Sequence, residues 1–129
     1  GTIDAVVSDH TPCPDDAKQL PFGEAAPGAS GLEVLLSLVL RFAESAQRPL
    51  LEALGWITCR PAGVARLPAG RIAADRPADI CVFDPGAYRL VTRAGLRSAG
   101  KNSPFVGYEL PGVVRATIAG GHVAYEAAA

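Results

Sequence analysis

The run from Ile3 to Ser8 is nearly continuous in apolar and β-branched residues, interrupted only by Asp4, and polar residues follow at once in Ser8, Asp9 and His10. That pattern predicts a short strand buried on both faces of a parallel sheet. From Asp9 to Ser30 the sequence is rich in Pro, Gly and Asp, with prolines at 12, 14, 21 and 27, and predicts a long ordered loop without regular structure. Loops of that length in compact domains are usually functional or disordered. The prolines favour function, because each fixes one φ angle and lowers the entropy cost of ordering.

Ser30-Gly31-Leu32-Glu33 has the Ser-x-x-Glu spacing of a capping box, in which each side chain satisfies an amide that the first helical turn leaves unpaired, and it predicts a helix start. Between Leu32 and Gln47 the polar positions Glu33, Ser37, Arg41, Glu44 and Ser45 form a narrow stripe at helical spacing. Nearly everything else there is apolar, so this helix needs cover on most sides. A second helix is predicted from Leu50 to Cys59, with Pro49 near its first turn, and a short third from Pro61 through Val64 to Arg66. Beyond Gly70 the pattern changes to β-like runs at Asp79 to Phe83, Tyr88 to Thr92, Val113 to Ala119 and His122 to Tyr125. The last two are joined by Gly120-Gly121, a two-residue hairpin signal.

One buried parallel strand requires parallel neighbours that this chain does not contain, and a closed eight-stranded barrel needs about 250 residues. The order of elements therefore predicts a piece of a larger α/β fold followed by a β-rich segment.

Composition narrows the function classes. The 129 residues are 49% hydrophobic and 19% charged, which is a globular profile. Twelve basic and thirteen acidic residues without a like-charge block leave no electrostatic footprint for nucleic acid or an anionic membrane. The three cysteines, Cys13, Cys59 and Cys81, lie far apart and form no CxxC pair. Neither a disulfide framework nor a structural zinc site is indicated, and a reducing, cytoplasmic setting is expected. No apolar run approaches the roughly 20 residues of a membrane helix, because Val34 to Leu40 is broken by Ser37 and closed by Arg41. The chain opens with Gly1 and shows no basic segment followed by an apolar one, so further sequence upstream is expected.

Among groups that carry chemistry, Asp9 stands out, just past the C-terminal end of the predicted strand, where barrel and doubly wound folds gather reactive groups. A carboxylate there can ligate a divalent metal and take a proton from metal-bound water; the plainer reading is a turn former or cap. His10 follows immediately, but successive residues on an extended segment point opposite ways, so it is expected to orient its neighbour rather than share a metal with it. Cys13 has no second histidine nearby in sequence to activate it and no cysteine at ligand spacing. Asp15, Asp16 and Lys18 read as a solvated loop face, and His122 as a solvated turn residue. Pro27-Gly28 and Ser30-Gly31 either bring backbone amides to a ligand or simply make a tight turn before the helix.

Taken together, Gly1-Thr2-Ile3-Asp4, Ser8-Asp9-His10-Thr11-Pro12, Lys18, Pro21-Phe22 and Ala26-Pro27-Gly28-Ala29-Ser30-Gly31-Leu32-Glu33 resemble the eighth strand and following loop of dihydroorotases. Asn102-Ser103-Pro104-Phe105 with Gly107, the run Ala78 to Pro85 and the stretch Gly112 to Gly121 are similar to the C-terminal segments of dihydroorotases and of their hydantoinase and allantoinase relatives. The resemblance covers essentially the whole chain. It implies the C-terminal portion of a zinc-dependent (β/α)₈ amidohydrolase that interconverts N-carbamoyl-L-aspartate and L-dihydroorotate in pyrimidine synthesis. Residues 1–69 would be the end of the barrel, with strand eight, the active-site loop and C-terminal helices. Residues 70–129 would be the β-rich part of a small composite β-sandwich domain built from both chain ends.

Asp9 would be the metal ligand and proton shuttle, and Pro27 and Gly28 would touch the substrate ring through their backbone. Cys13 stands where many active members carry a histidine that helps hold the substrate carboxylate. A thiol is a poor substitute for an imidazole donor. Two alternatives follow from the same resemblance: a non-catalytic dihydroorotase-like subunit that supports aspartate carbamoyltransferase assembly, and a hydantoinase or allantoinase. The family's remaining metal ligands lie upstream of Gly1. The chain by itself is therefore expected to bind Zn²⁺ weakly at best, to be inactive, and to be poorly soluble, since the Leu32 to Ala43 helix would expose apolar surface.

Overall fold

The computed structural model describes residues 2–128; Gly1, the first residue of the Gly-Thr-Ile-Asp stretch, and Ala129, the last of the terminal alanines, lie outside them. The regular elements, in chain order, are helices α1 (Leu35–Ser45), α2 (Leu50–Ile57) and α3 (Cys59–Val64) and strands β1 (Ile80–Leu90), β2 (Glu109–Ala119) and β3 (His122–Glu126), with single 3₁₀ turns at Asp16–Lys18 and Leu32–Val34. The strands form one antiparallel sheet in the order β1-β2-β3.

The strand predicted from Ile3 to Ser8 does not form. Its backbone makes no ladder among the described residues, and Ile3 and Val7 are exposed rather than buried on both faces. The cause is the one that the sequence implies: a parallel strand needs neighbours to satisfy its amides and cover its side chains. The Val6 amide instead donates to the Trp56 carbonyl at 2.9 Å, which ties the segment to α2.

Helix α1 is the organising element. On one side Val39 and Ala43 bury against Ala53 of α2, with Leu35, Trp56 and Ile57 packed around them. On the other, Val34 at its start meets Val91, Leu96 and Leu110, with Leu38 and Phe105 beside them. Ser37, expected on the polar stripe, is buried, whereas Arg41 on the same stripe is exposed and lies 5.7 Å from the centre of the Tyr108 ring. Phe42 remains exposed on α1, and Leu32 on the turn before it.

The capping box does not form either. Ser30 Oγ donates to the Gly100 carbonyl at 2.7 Å, and the Glu33 carboxylate accepts the Arg97 and Ser98 amides at 2.7 and 2.8 Å. Both side chains are drawn to the loop after β1, where a buried hydroxyl and two loop amides need partners more than an exposed helix end does. The second and third helices are displaced slightly from expectation. Helix α2 stops at Ile57 because Pro61 has no amide to donate to the Ile57 carbonyl, and α3 begins at Cys59.

The two strands expected at Asp79 to Phe83 and Tyr88 to Thr92 are one, β1, bent where its register with β2 shifts between Asp84 and Tyr88. There Asp84 Oδ1 accepts the Gly86 and Ala87 amides at 3.0 and 3.1 Å, so the turn residues Asp-Pro-Gly make a bulge inside a strand rather than an end to it. Gly120 and Gly121 both adopt positive φ and close the hairpin between β2 and β3, as expected. The described residues hold one three-stranded sheet. No helix among them is long and apolar enough to cross a membrane.

Candidate functional site

The loop from Asp9 to Ser30 closes on itself at its base. His10 and Ala29 form an isolated parallel bridge, and the Thr11 amide donates to the Ala29 carbonyl at 3.0 Å. At Gly28 the chain takes φ +98°, and a β-carbon there would stand 2.6 Å from Thr11 Cβ. Glycine is thus required twice over at 28, for its backbone angle and for the close approach of Thr11. Within the loop, Ala26 N donates to the Ala17 carbonyl, and Lys18 Nζ donates to the Ala26 carbonyl. Asp15 pairs with Arg93. The charged cluster expected to be a solvated face is therefore partly used to hold the loop, a role that sequence spacing across 78 positions does not reveal.

Asp9 sits at the first corner of this loop, exposed, with φ +44°. Positive φ is uncommon outside glycine, though Asp tolerates it better than most, and such conformations concentrate at functional sites. The turn is braced by Thr11 Oγ1, which donates to the Asp9 carbonyl at 3.2 Å. His10 points elsewhere. Its Nδ1 accepts the amides of Gly31 and Leu32, each at 3.2 Å, so the imidazole occupies the start of the helical segment. Those two amides are thereby spent on a side chain rather than offered to a ligand, which removes Ser30-Gly31 as an amide donor site. The accepting Nδ1 also fixes the tautomer, leaving the proton on Nε2.

Cys13 is half-buried and borders a cleft of about 340 Å³ lined also by Pro12, Pro14, Asp15, Ala99 and Gly100. A larger cleft, about 560 Å³, lies among Glu33, Arg89, Arg97 and Tyr125 and includes no residue of the Asp9 loop. The Cys13 amide and the Gly28 carbonyl converge on a residue for which the sequence supplied no role: Asn102, whose carboxamide meets them at 3.2 and 3.3 Å. Its signal was faint, an Asn before Ser-Pro in a loop, and its partners are more than 70 positions away.

Two titratable groups are displaced from their ordinary values, both in the sheet. The Arg115 guanidinium, with help from the Gly86 amide, holds the Asp84 carboxyl below the usual carboxylate range, and partial burial raises the Cys81 thiol. Neither lies on the Asp9 loop. Among the described residues no group of three or more His, Cys, Asp or Glu side chains could hold a metal ion. A complete metal site takes three or more protein ligands, and Asp9 offers a single carboxylate.

Comparison with protein-family models gives no match. Curated relatives do match. A dihydroorotase-like protein of Pseudomonas aeruginosa and a dihydroorotase of Geobacter metallireducens are each 41% identical over 126 residues, covering 98% of this chain and 30% of theirs. The chain thus spans about three tenths of the length of the curated relatives it matches. Among solved structures, the L-hydantoinase (dihydropyrimidinase) of Arthrobacter aurescens superposes with a TM-score of 0.88 at 28% identity, over 98% of this chain and 29% of that one. The D-hydantoinase of a Thermus species gives 0.86 at 22% identity, over 96% and 28%, a likeness of fold alone.

Proposed function

From the premise that the chain corresponds along nearly its whole length to the C-terminal portion of proteins named dihydroorotase, we propose that it is the C-terminal part of a dihydroorotase-type cyclic amidohydrolase. In this reading, residues 1–69 end a (β/α)₈ barrel and residues 70–129 belong to the small β-rich domain beside it. The exposed Ile3 and Val7 are the faces that neighbouring barrel strands cover. The observation that carries the proposal is the 41% identity across 98% of the chain.

Asp9 supplies one carboxylate ligand to a divalent metal, zinc by family usage, whose other ligands come from outside this chain. The metal, when bound, acidifies water and polarises the amide carbonyl. Asp9 accepts a proton from the attacking water and returns it to the ring nitrogen as the C–N bond breaks. The oxygen of water ends in the new carboxylate, one of its protons on the ureido nitrogen, and the other is released to solvent. Cys13 and the backbone of Pro27 and Gly28 bound the substrate, L-dihydroorotate or N-carbamoyl-L-aspartate. The reaction serves pyrimidine synthesis.

Cys13 favours a second reading, a non-catalytic dihydroorotase-like subunit that supports aspartate carbamoyltransferase assembly, because a thiol replaces the expected imidazole donor. One assay separates the two: dihydroorotate hydrolysis by the full-length protein with zinc, wild type against Asp9→Asn. Activity in the wild type that falls by a factor of about 100 or more in the variant supports the enzyme. A folded, zinc-supplied wild type without activity selects the subunit.

A further inference from the structure

The loop that carries Cys13 and Gly28 is fastened at both ends by a segment that the proposed chemistry does not use. The Asn102 carboxamide oxygen accepts the Cys13 amide at 3.2 Å and lies 3.4 Å from Ser30 Oγ, and its nitrogen donates to the Gly28 carbonyl at 3.3 Å. The Asn102 backbone carbonyl accepts the Ser30 amide at 2.8 Å, and Ser30 Oγ donates to the carbonyl of nearby Gly100. Ser30 is buried at this junction.

We infer that Asn102 is a positioning residue for substrate binding: it sets the separation between the Cys13 end and the Gly28 end of the loop before any ligand arrives. The inference rests on the dihydroorotase-type reading for the identity of the ligand, and on geometry alone for the positioning. A primary carboxamide is suited to the task because one planar group presents an acceptor to an amide and a donor to a carbonyl. Aspartate keeps the acceptor and turns a second acceptor toward the Gly28 carbonyl; alanine loses both. A loop fastened in advance does not pay its ordering entropy when ligand binds, so loss of the clamp falls on affinity.

The test uses the full-length protein with Asn102→Ala and, as the milder change, Asn102→Asp. Hydrogen exchange followed by mass spectrometry reads the loop without reference to activity; steady-state kinetics with dihydroorotate reads its consequence. The expected result for Asn102→Ala is exchange at least tenfold faster in peptides spanning 11–15 and 26–31, with α1 unchanged. KM rises about tenfold and kcat changes less than threefold. Asn102→Asp keeps protection at 11–15 and loses it at 26–31. Wild-type exchange in both variants overturns the inference, as does a loosened loop with KM unchanged or with kcat falling alone. A wild type inactive on dihydroorotate overturns the functional reading, and the exchange measurement still decides whether Asn102 holds the loop.

Discussion

The His10 imidazole accepts the Gly31 amide at 3.2 Å, across 21 positions of chain, and so joins the first residue after Asp9 to the start of the helical segment. The same nitrogen accepts the Leu32 amide. One side chain thus performs the capping for which Ser30 has the right spacing and the wrong surroundings. His10→Ala leaves two amides without their acceptor and should cost about 1–2 kcal/mol, in the range of a lost helix cap. His10→Asn, with a shorter acceptor, should recover part of it. Chemical denaturation of the three proteins checks the order; equal stability of wild type and His10→Ala would refute the cap.

Gly28 combines positive φ with a close approach to Thr11. Gly28→Ala should therefore destabilise by about 2 kcal/mol or more, since the left-handed backbone and the contact each exact a cost. The damage should concentrate in the loop. Double substitution with Thr11→Gly removes only the side-chain part of the contact; the Thr11 carbonyl oxygen, 2.6 Å from the added carbon, and the backbone angle both remain, so it should restore only part of the loss. Full restoration would refute both remaining costs.

Asp84 makes a pH prediction with a definite sign. Its carboxyl is held below its ordinary value of about 3.9, first by the hydrogen bond from Arg115. A depressed carboxylate contributes stability above the unfolded value, and that contribution disappears as pH falls through the lower folded value. Wild type should thus lose stability between about pH 5 and pH 2 more steeply than Asp84→Asn. The pair is exposed, so the difference between the two proteins is small throughout; it is largest near neutrality and closes as pH falls. Denaturation midpoints measured across that range check it; parallel curves count against the pair.

Much of the fold was legible because local patterns decide local elements. The apolar positions of α1, the proline near the start of α2 and the Gly-Gly hairpin each act within a few residues. What misled did so by tertiary pull. Ser30 and Glu33 were diverted to the loop after β1 by partners more than 60 positions away. Asp84-Pro85-Gly86 reads as a strand terminator, yet β2 offers enough pairing to carry β1 past it. Ile3 to Ser8 has a strand's composition, but a composition cannot supply hydrogen-bonding neighbours. At the candidate site the sequence singled out Asp9 by its place after the predicted strand and Cys13, Pro27 and Gly28 by resemblance; Asn102 stood in the resemblance without a role, because its partners lie more than 70 positions away.

The small cluster of Val34, Val91, Leu96 and Leu110 has a practical consequence for recombination. It crosses the point near residue 70 where the sequence changes from helical to β-like character. A crossover placed there, exchanging the β-rich half with that of a relative, would mate one parent's Val34 with the other's three partners and separate Asn102 from the loop it holds. Chimaeras that move residues 30–34 together with the β-rich half preserve that packing. A library cut at both places should yield folded products mainly from the earlier crossover.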